Sequence, residues 1–211
     1  MTLFFIAILL KQGGKVMIYT NLKSYEQDKH GMFESSLMLA TDVGNLFDVV
    51  VRDEHQKEIA VDNGVPVCVG DYTGNGLEER YATIAKATDA IAVIGTPAEV
   101  KTAFTKEQEQ PYHFTNPAGV PAKAYMVQEP NVHTDIFAVA DYQFTDESAK
   151  EVKVGRLVVT DGKGMYVAQA EGTQASTLTS TNGFIGQIHS LSVGTYYTMV
   201  RIRVLQNKNV A

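Results

Sequence analysis

The sequence predicts a mainly β fold: a β-barrel or sandwich of short antiparallel strands, with one short helix and an extended N-terminal arm. Three observations lead there. Short apolar runs of about five residues recur along the chain and are separated by Gly, Pro, Asn and Asp. From Tyr196 to Leu205 the pattern alternates, with Tyr196, Thr198, Val200, Ile202 and Val204 on one face and Arg201 and Arg203 on the other. No long segment repeats at the helical period, and no repeat of fixed length is visible.

The elements follow in order. Met17 to about Leu39 is polar and irregular and reads as the arm, with 17–46 assigned to it as a whole. The β-rich domain is expected over 47–207. Phe47-Asp48-Val49-Val50-Val51 is a strand, 52–57 a polar turn, and Glu58-Ile59-Ala60-Val61 its return. Asp62-Asn63-Gly64 is a tight-turn signal ahead of the strand Val65–Val69, in which Pro66 suits an edge or a strand start. Strands are also expected at 82–85 and 90–94. Thr96-Pro97-Ala98-Glu99 then has the capping signature of a short helix over 97–104. The stretch 106–122 carries Pro111, Pro117 and Pro121 and reads as a long loop that could divide the domain into two lobes.

Beyond it, strands are expected at 124–127 and 136–139, then at 152–154 and 156–159. Asp161-Gly162 turns the chain into 165–168, and Asn182-Gly183 precedes the strand 184–188. Thr173–Thr181 reads as a polar loop.

The first sixteen residues have a separate explanation. The apolar run Thr2–Leu10 is shorter than the roughly 20 residues that span a bilayer as a helix. As a secretory signal it lacks a basic start and a small-residue cleavage site. Gln12-Gly13-Gly14-Lys15 can instead be encoded by a sequence containing AAGGAGG, a bacterial ribosome-binding site, about seven nucleotides ahead of the Met17 codon. Residues 1–16 are therefore expected to be upstream DNA read as protein, which implies a bacterial or phage gene.

Charge limits the partners. The 211 residues carry 18 basic and 24 acidic side chains, a formal charge of -6. From Met17 onward, without Lys11 and Lys15, 16 basic residues face 24 acidic ones and the charge is -8. An acidic chain with no basic run is poorly suited to phosphate backbones, so no nucleic-acid partner is expected, and no membrane partner either. The single cysteine, Cys68, excludes an internal disulfide and any multi-cysteine metal centre.

No catalytic, cofactor or metal residue is assigned. Asp71-Tyr72-Thr73-Gly74-Asn75-Gly76 resembles the front of an EF-hand loop, but position twelve is Ala82 where a bidentate glutamate belongs, so a plain turn is expected. His30, His55, His113, His133 and His189 are widely separated. Glu129, His133 and Asp135 share one predicted loop and are read as solvated residues in preference to metal ligands. Asp135 and Asp141 have no spacing that argues for a carboxylate pair. Cys68 lies in an apolar β run and is read as a buried, inert thiol. Arg201 and Arg203 are read as a solvated or subunit-facing strand surface.

Several segments taken in order carry a resemblance. They are DNGVPVCVGDY (Asp62–Tyr72), IAVIGTPAEV (Ile91–Val100), NPAGVPAKAYMVQEP (Asn116–Pro130), DIFAVADYQF (Asp135–Phe144) and GTYYTMVRIRVLQN (Gly194–Asn207). The series resembles capsid decoration, or cement, proteins: auxiliary head proteins of tailed phages infecting Gram-positive bacteria. It covers most of 62–207 by pattern and order, without a diagnostic motif.

The resemblance implies a non-enzymatic virion protein on the capsid exterior, made in the bacterial host cytoplasm. Its partner would be the major capsid protein, with self-association, a trimer among the options, and with no cofactor. It would bridge capsomers so that many modest contacts act together. The alternatives are another virion part (tail, baseplate or head fibre) or a carbohydrate-binding receptor module. Exposed aromatics at one barrel end, with Tyr112, Tyr125 and Tyr142 as candidates, would favour sugar binding. An enzyme would need a nucleophile–base pair or metal set that the sequence does not display.

Intact-mass measurement of the protein made from its native gene is expected to give a chain starting at Met17; a mass that includes Met1 would overturn that start.

Overall fold

The computed structural model describes residues 30–41, 44–74, 78–98, 111–131, 133–195 and 197–210. Eleven strands form two units: β1 (Phe33–Glu34), β2 (Leu46–Arg52), β3 (Pro66–Tyr72), β4 (Arg80–Ile84), β5 (Ala92–Ile94), β6 (Ala122–Met126), β7 (Ile136–Ala140), β8 (Leu157–Thr160), β9 (Tyr166–Ala168), β10 (Phe184–Val193) and β11 (Thr198–Asn207). Among the described residues one short α-helix, α1 (Ala175–Leu178), lies between β9 and β10. The fold is mainly β, as the sequence predicts.

Strands β2 to β6 close a barrel in the order β2-β4-β3-β5-β6. A closed ring of five strands cannot have every neighbour antiparallel, because the direction would have to alternate an odd number of times. One parallel contact is unavoidable, and here it is β2 with β4, from Val49 opposite Arg80 to Arg52 opposite Thr83. A parallel pair needs a crossover, and the excursion through β3 supplies it. The interior is filled by small and β-branched side chains, including Val49, Val51, Val67, Ala82, Ala92, Ile94, Ala122 and Ala124. That composition suits so narrow a ring.

The other six strands form a sheet in the order β1-β7-β11-β10-β8-β9. The β10–β11 hairpin is its spine. Val200, Ile202 and Val204 point into the core, Arg201 is partly exposed and Arg203 exposed. Register shifts occur at Ile185/Gly186 and Ile188/Ser190. A side chain at Gly186 would strike Ile202, so only glycine lets the hairpin strands approach there.

Sheet and barrel share one core. Phe137, Tyr166, Phe184, Val200 and Ile202 from the sheet pack with Ala85, Ile91, Val93 and Val127 from the barrel side. Phe137, Tyr166 and Phe184 form a triangle with ring centroids 6.1–6.3 Å apart, a geometry worth about 0.5–1.5 kcal/mol per pair beyond the area buried. Strand β5 is therefore covered on both faces: Ala92 and Ile94 face the barrel interior and Val93 the sheet. A continuous apolar run, rather than an alternating one, is what such a strand requires. On the far side of the sheet, Leu157, Val159 and Ile185 pack under Ala175 and Leu178 of α1.

Several expectations need correction. The described part of the 17–46 arm is not a free extension. Phe33 and Glu34 pair with Val139 and Ala138, and Met38 and Ala40 are buried; residues 17–29 lie outside the described residues. Glu58–Val61 forms no strand, only the single bridges Arg52 to Glu58 and Val61 to Asn116. Both edges of β2 are already taken by β4 and β6.

Residues 152–154 are not a strand either; they follow a 3-10 turn at Ala149–Glu151. The helix expected over 97–104 is not begun at Pro97 and Ala98, and 99–104 lie outside the described residues. The Thr96 hydroxyl accepts the Lys123 N–H at 3.0 Å instead of capping a helix. Helix α1 sits within the stretch read as a polar loop, placed there by the apolar pair Ala175 and Leu178 three residues apart. The 106–122 loop connects two barrel strands, so the change from barrel to sheet falls after β6.

Gly64 has φ +84° and lies against the Gln143 amide, where a Cβ would collide with it. Gly64→Ala is expected to destabilise the protein by about 2–4 kcal/mol in chemical denaturation, whereas Gly155→Ala, also at positive φ but with open space around it, should cost about 1 kcal/mol.

Candidate functional site

The interface between barrel and sheet is held by buried polar groups as well as by apolar contact. The Asp62-Asn63-Gly64 turn is its centre. Asn63 O accepts from Gln143 Nε2 at 2.7 Å, and Gly64 O accepts from the Tyr166 hydroxyl at 3.0 Å. The Asn63 side chain donates to Thr96 O at 2.8 Å and accepts the Thr96 N–H at 3.0 Å, with a further bond from Asn116 Nδ2 at 3.1 Å. Burial pushes the Tyr166 phenol far above its ordinary pKa, so it remains a neutral donor.

Two further ties act in the same way. Asn207 accepts the Ile91 N–H at 2.7 Å and donates to Ile91 O at 3.0 Å and Val127 O at 2.8 Å. Its amide thus stands in for a strand partner to β5. Asp135 is fully buried, and its two carboxylate oxygens accept the N–H groups of Leu39 and Gln128, each at 2.6 Å. Asp135 is therefore not the solvated loop residue that the sequence suggests. It joins the N-terminal segment, the end of the barrel and the start of β7, whereas Glu129 and His133 in the same loop are exposed.

The tyrosines singled out as a sugar platform serve the N-terminal segment instead. Tyr112 is buried and its carbonyl accepts the His30 N–H at 2.7 Å. Tyr125 packs on Phe33 at 5.3 Å, and the Tyr142 hydroxyl donates to His30 O at 2.7 Å. Burial chiefly, with Tyr197, Asp141, Asp62 and Tyr112 adding to it, holds the Tyr142 phenol well above its ordinary pKa. Beside them, His30 Nδ1 lies 3.0 Å from Asp62 Oδ1, and Asp62 Oδ2 accepts the Gly31 N–H at 3.1 Å.

The other residues considered are scattered. His55, His133 and His189 are exposed on separate elements, and His113 lies beside the Tyr112 ring. Among the described residues, no group of three or more His, Cys, Asp or Glu is placed to hold a metal ion. Asp71 and Tyr72 of the EF-hand-like segment end β3, and Ala82 is buried in β4. Cys68 is half-buried on β3, not fully buried. Its thiol is pushed up by burial, then by the Asp89 carboxylate, with Lys86 opposing.

Arg201 reaches Glu34 at 4.0 Å across the sheet. A cleft of about 450 Å³ lies between β1 and the Gly95–Ala98 segment, with Phe33, Tyr125 and Met199 on its walls. Asn63 also lines it, with its amide fully engaged as above. No described helix is long and apolar enough to cross a membrane.

The open end of the barrel has a different character. Interior rows continue outward there: Val49 and Val51 to Phe47 on β2, and Ala82 and Ile84 to Arg80 on β4. On β3, Val69 pairs with Ala82 and Tyr72 with Arg80, so β3 carries one extra residue. That bulge moves Tyr72 onto the same face as Val67 and Val69. The Arg80 guanidinium consequently sits 4.8 Å from the Phe47 ring centroid and 4.4 Å from that of Tyr72, and donates to the Tyr72 hydroxyl at 3.0 Å. Sequence reasoning missed this cluster, because its three residues share a face only after the bulge is formed.

No family model, no curated protein and no solved structure matches the chain.

Asp135→Asn keeps one acceptor but turns an NH2 group towards a backbone N–H. It is expected to cost about 2–4 kcal/mol and to speed hydrogen exchange at Leu39 and Gln128 first, which residue-resolved exchange would detect.

Proposed function

We propose that the protein is a structural component of a phage virion that binds the outer surface of the capsid lattice and stabilises it by bridging capsomers. One observation carries this reading: each segment that resembles capsid decoration proteins contributes to the ties between barrel and sheet. Asp62–Tyr72 contains the central turn, Ile91–Val100 contains Ile91 and Val93, and Asn116–Pro130 contains Val127 and Gln128. Asp135–Phe144 contributes Asp135 and Gln143, and Gly194–Asn207 contributes Asn207. The resemblance therefore follows the framework and not a run of surface loops.

The physical properties are in keeping with that role. A decoration protein must transmit load between neighbouring capsomers, which favours a body whose parts cannot slide. Here the shared aromatic core and the buried amide and carboxylate ties join the two β units at several separated points. The acidic charge of -6 suits an exterior position better than contact with packaged DNA. Bridging would draw on many copies, each with a modest contact.

Co-sedimentation of the chain with expanded, undecorated capsids of the phage that carries its gene is the decisive test. Saturable binding at a fixed copy number per capsomer is expected. Absence of binding at high protein excess would overturn the proposal and leave the tail, baseplate, head-fibre or receptor-module reading.

A further inference from the structure

We infer that the open barrel end formed by Tyr72, Arg80 and Phe47 is the surface through which the protein grips its partner, with Arg80 receiving a carboxylate from the partner protein. The inference rests on the capsid-binding reading above and names the contact within it.

The argument starts from the arginines. The chain has five, and three have a carboxylate within reach: Arg52 with Glu58 at 3.7 Å, Arg156 with Glu151 at 3.2 Å and Glu171 at 3.0 Å, and Arg201 with Glu34 at 4.0 Å. Among the described residues Arg80 and Arg203 have none; Arg203 lies exposed on β11, whereas Arg80 lacks a partner although Asp71, Glu78 and Glu79 lie within two positions of Tyr72 or Arg80 in the chain. Its guanidinium is held by rings instead. Two aromatic rings and the Tyr72 hydroxyl, which takes one N–H, hold the guanidinium in place, and its other N–H groups are left for an outside acceptor. A planar, pre-oriented fork of this kind matches a carboxylate in two-point contact.

Tyr72 supplies the rest of the contact. It is 59% exposed, one of the largest apolar groups on the described surface, and one ring face is occupied by Arg80. Leu46, next to Phe47, is 38% exposed and adds apolar area at the same end of β2. Tyr and Arg are the residue types that dominate the centres of protein interfaces, because each brings a large, stiff surface that also makes hydrogen bonds. Asp71, Glu78 and Glu79 adjoin Tyr72 and Arg80 in the chain, and acidic groups so near would disfavour free small anions and favour a partner whose carboxylate is accompanied by basic side chains. That mixed pattern is a feature of a protein surface.

The test uses the full chain and expanded, undecorated capsids. Arg80→Ala and Tyr72→Ala are each expected to weaken capsid binding by about thirtyfold. Arg80→Lys, which keeps the charge and loses the fork, should fall between Arg80→Ala and the unaltered protein. Arg203→Ala removes an exposed arginine on the sheet and should stay within about threefold. Tyr72→Ala keeps the test valid if Arg80→Ala disturbs the barrel end, since the Tyr72 side chain is largely exposed.

Binding of both alanine variants within about threefold of the unaltered chain, with that chain binding normally, would overturn this contact and leave the capsid role standing. Equal losses for Arg203→Ala would also overturn it, because the effect would then be general charge. Self-association lost in Arg80→Ala without capsids present would assign the surface to a second copy and overturn the partner named here. Failure of the unaltered chain to bind would remove both proposals together.

Discussion

The Asn63–Gly64 turn is the point on which the arrangement depends. It belongs to the barrel, yet both of its carbonyls are claimed from the sheet, one by Gln143 and one by Tyr166. Buried carbonyls without partners would cost about 1–3 kcal/mol each, so the two units cannot separate or slide without leaving them unsatisfied. The positive φ of Gly64 makes the approach possible, and the absence of a side chain there leaves room for the Gln143 amide. Tyr166 serves twice, since its ring is one corner of the aromatic triangle while its hydroxyl reaches across.

From that junction the rest follows with few free choices. Strand β5 must present apolar groups on both faces because the barrel lies on one side and the sheet on the other. Distant segments are drawn in as well. Asn207, at the end of β11, completes the polar groups of Ile91, and Asp135 completes those of Leu39 and Gln128. Segments more than a hundred positions apart are thereby fixed to one another, with ties of different chemistry that do not all fail under one perturbation. A body braced in this way is a reasonable load-bearing unit, which links the packing to the proposed role on a capsid.

The open barrel end is the counterpart of that closed interior. Elsewhere Arg52, Arg156 and Arg201 each have a carboxylate within reach. At the starts of β2 and β4 and the end of β3 the interior rows run out into aromatic rings and a guanidinium that the molecule itself leaves partly unused. The buried ties take up polar groups where barrel meets sheet, and the Arg80 N–H groups not bound to Tyr72 are the ones the proposed contact would use.

The sequence alone determined the fold class and most strand positions, because alternation, β-branched runs and Gly/Asn/Asp turns are local signals. Asp62-Asn63-Gly64 was legible as a turn, Pro66 as a strand start, and the alternating face of Val200, Ile202 and Val204 as a core face. Glu58–Val61 and 152–154 had strand-like composition without a free strand edge or register to join, and whether an edge is free is a property of the whole sheet. The roles of Asn63, Gln143, Asp135 and Asn207 were not legible, since a buried amide or carboxylate looks like a loop residue until its distant partners are known. The Tyr72–Arg80–Phe47 cluster was hidden for a related reason. A bulge of one residue decides which face Tyr72 occupies, and only pairing with β4 reveals that bulge. Local pattern sets what each segment can be; long-range pairing and the need to satisfy buried polar groups decided how the segments meet and what surface remains.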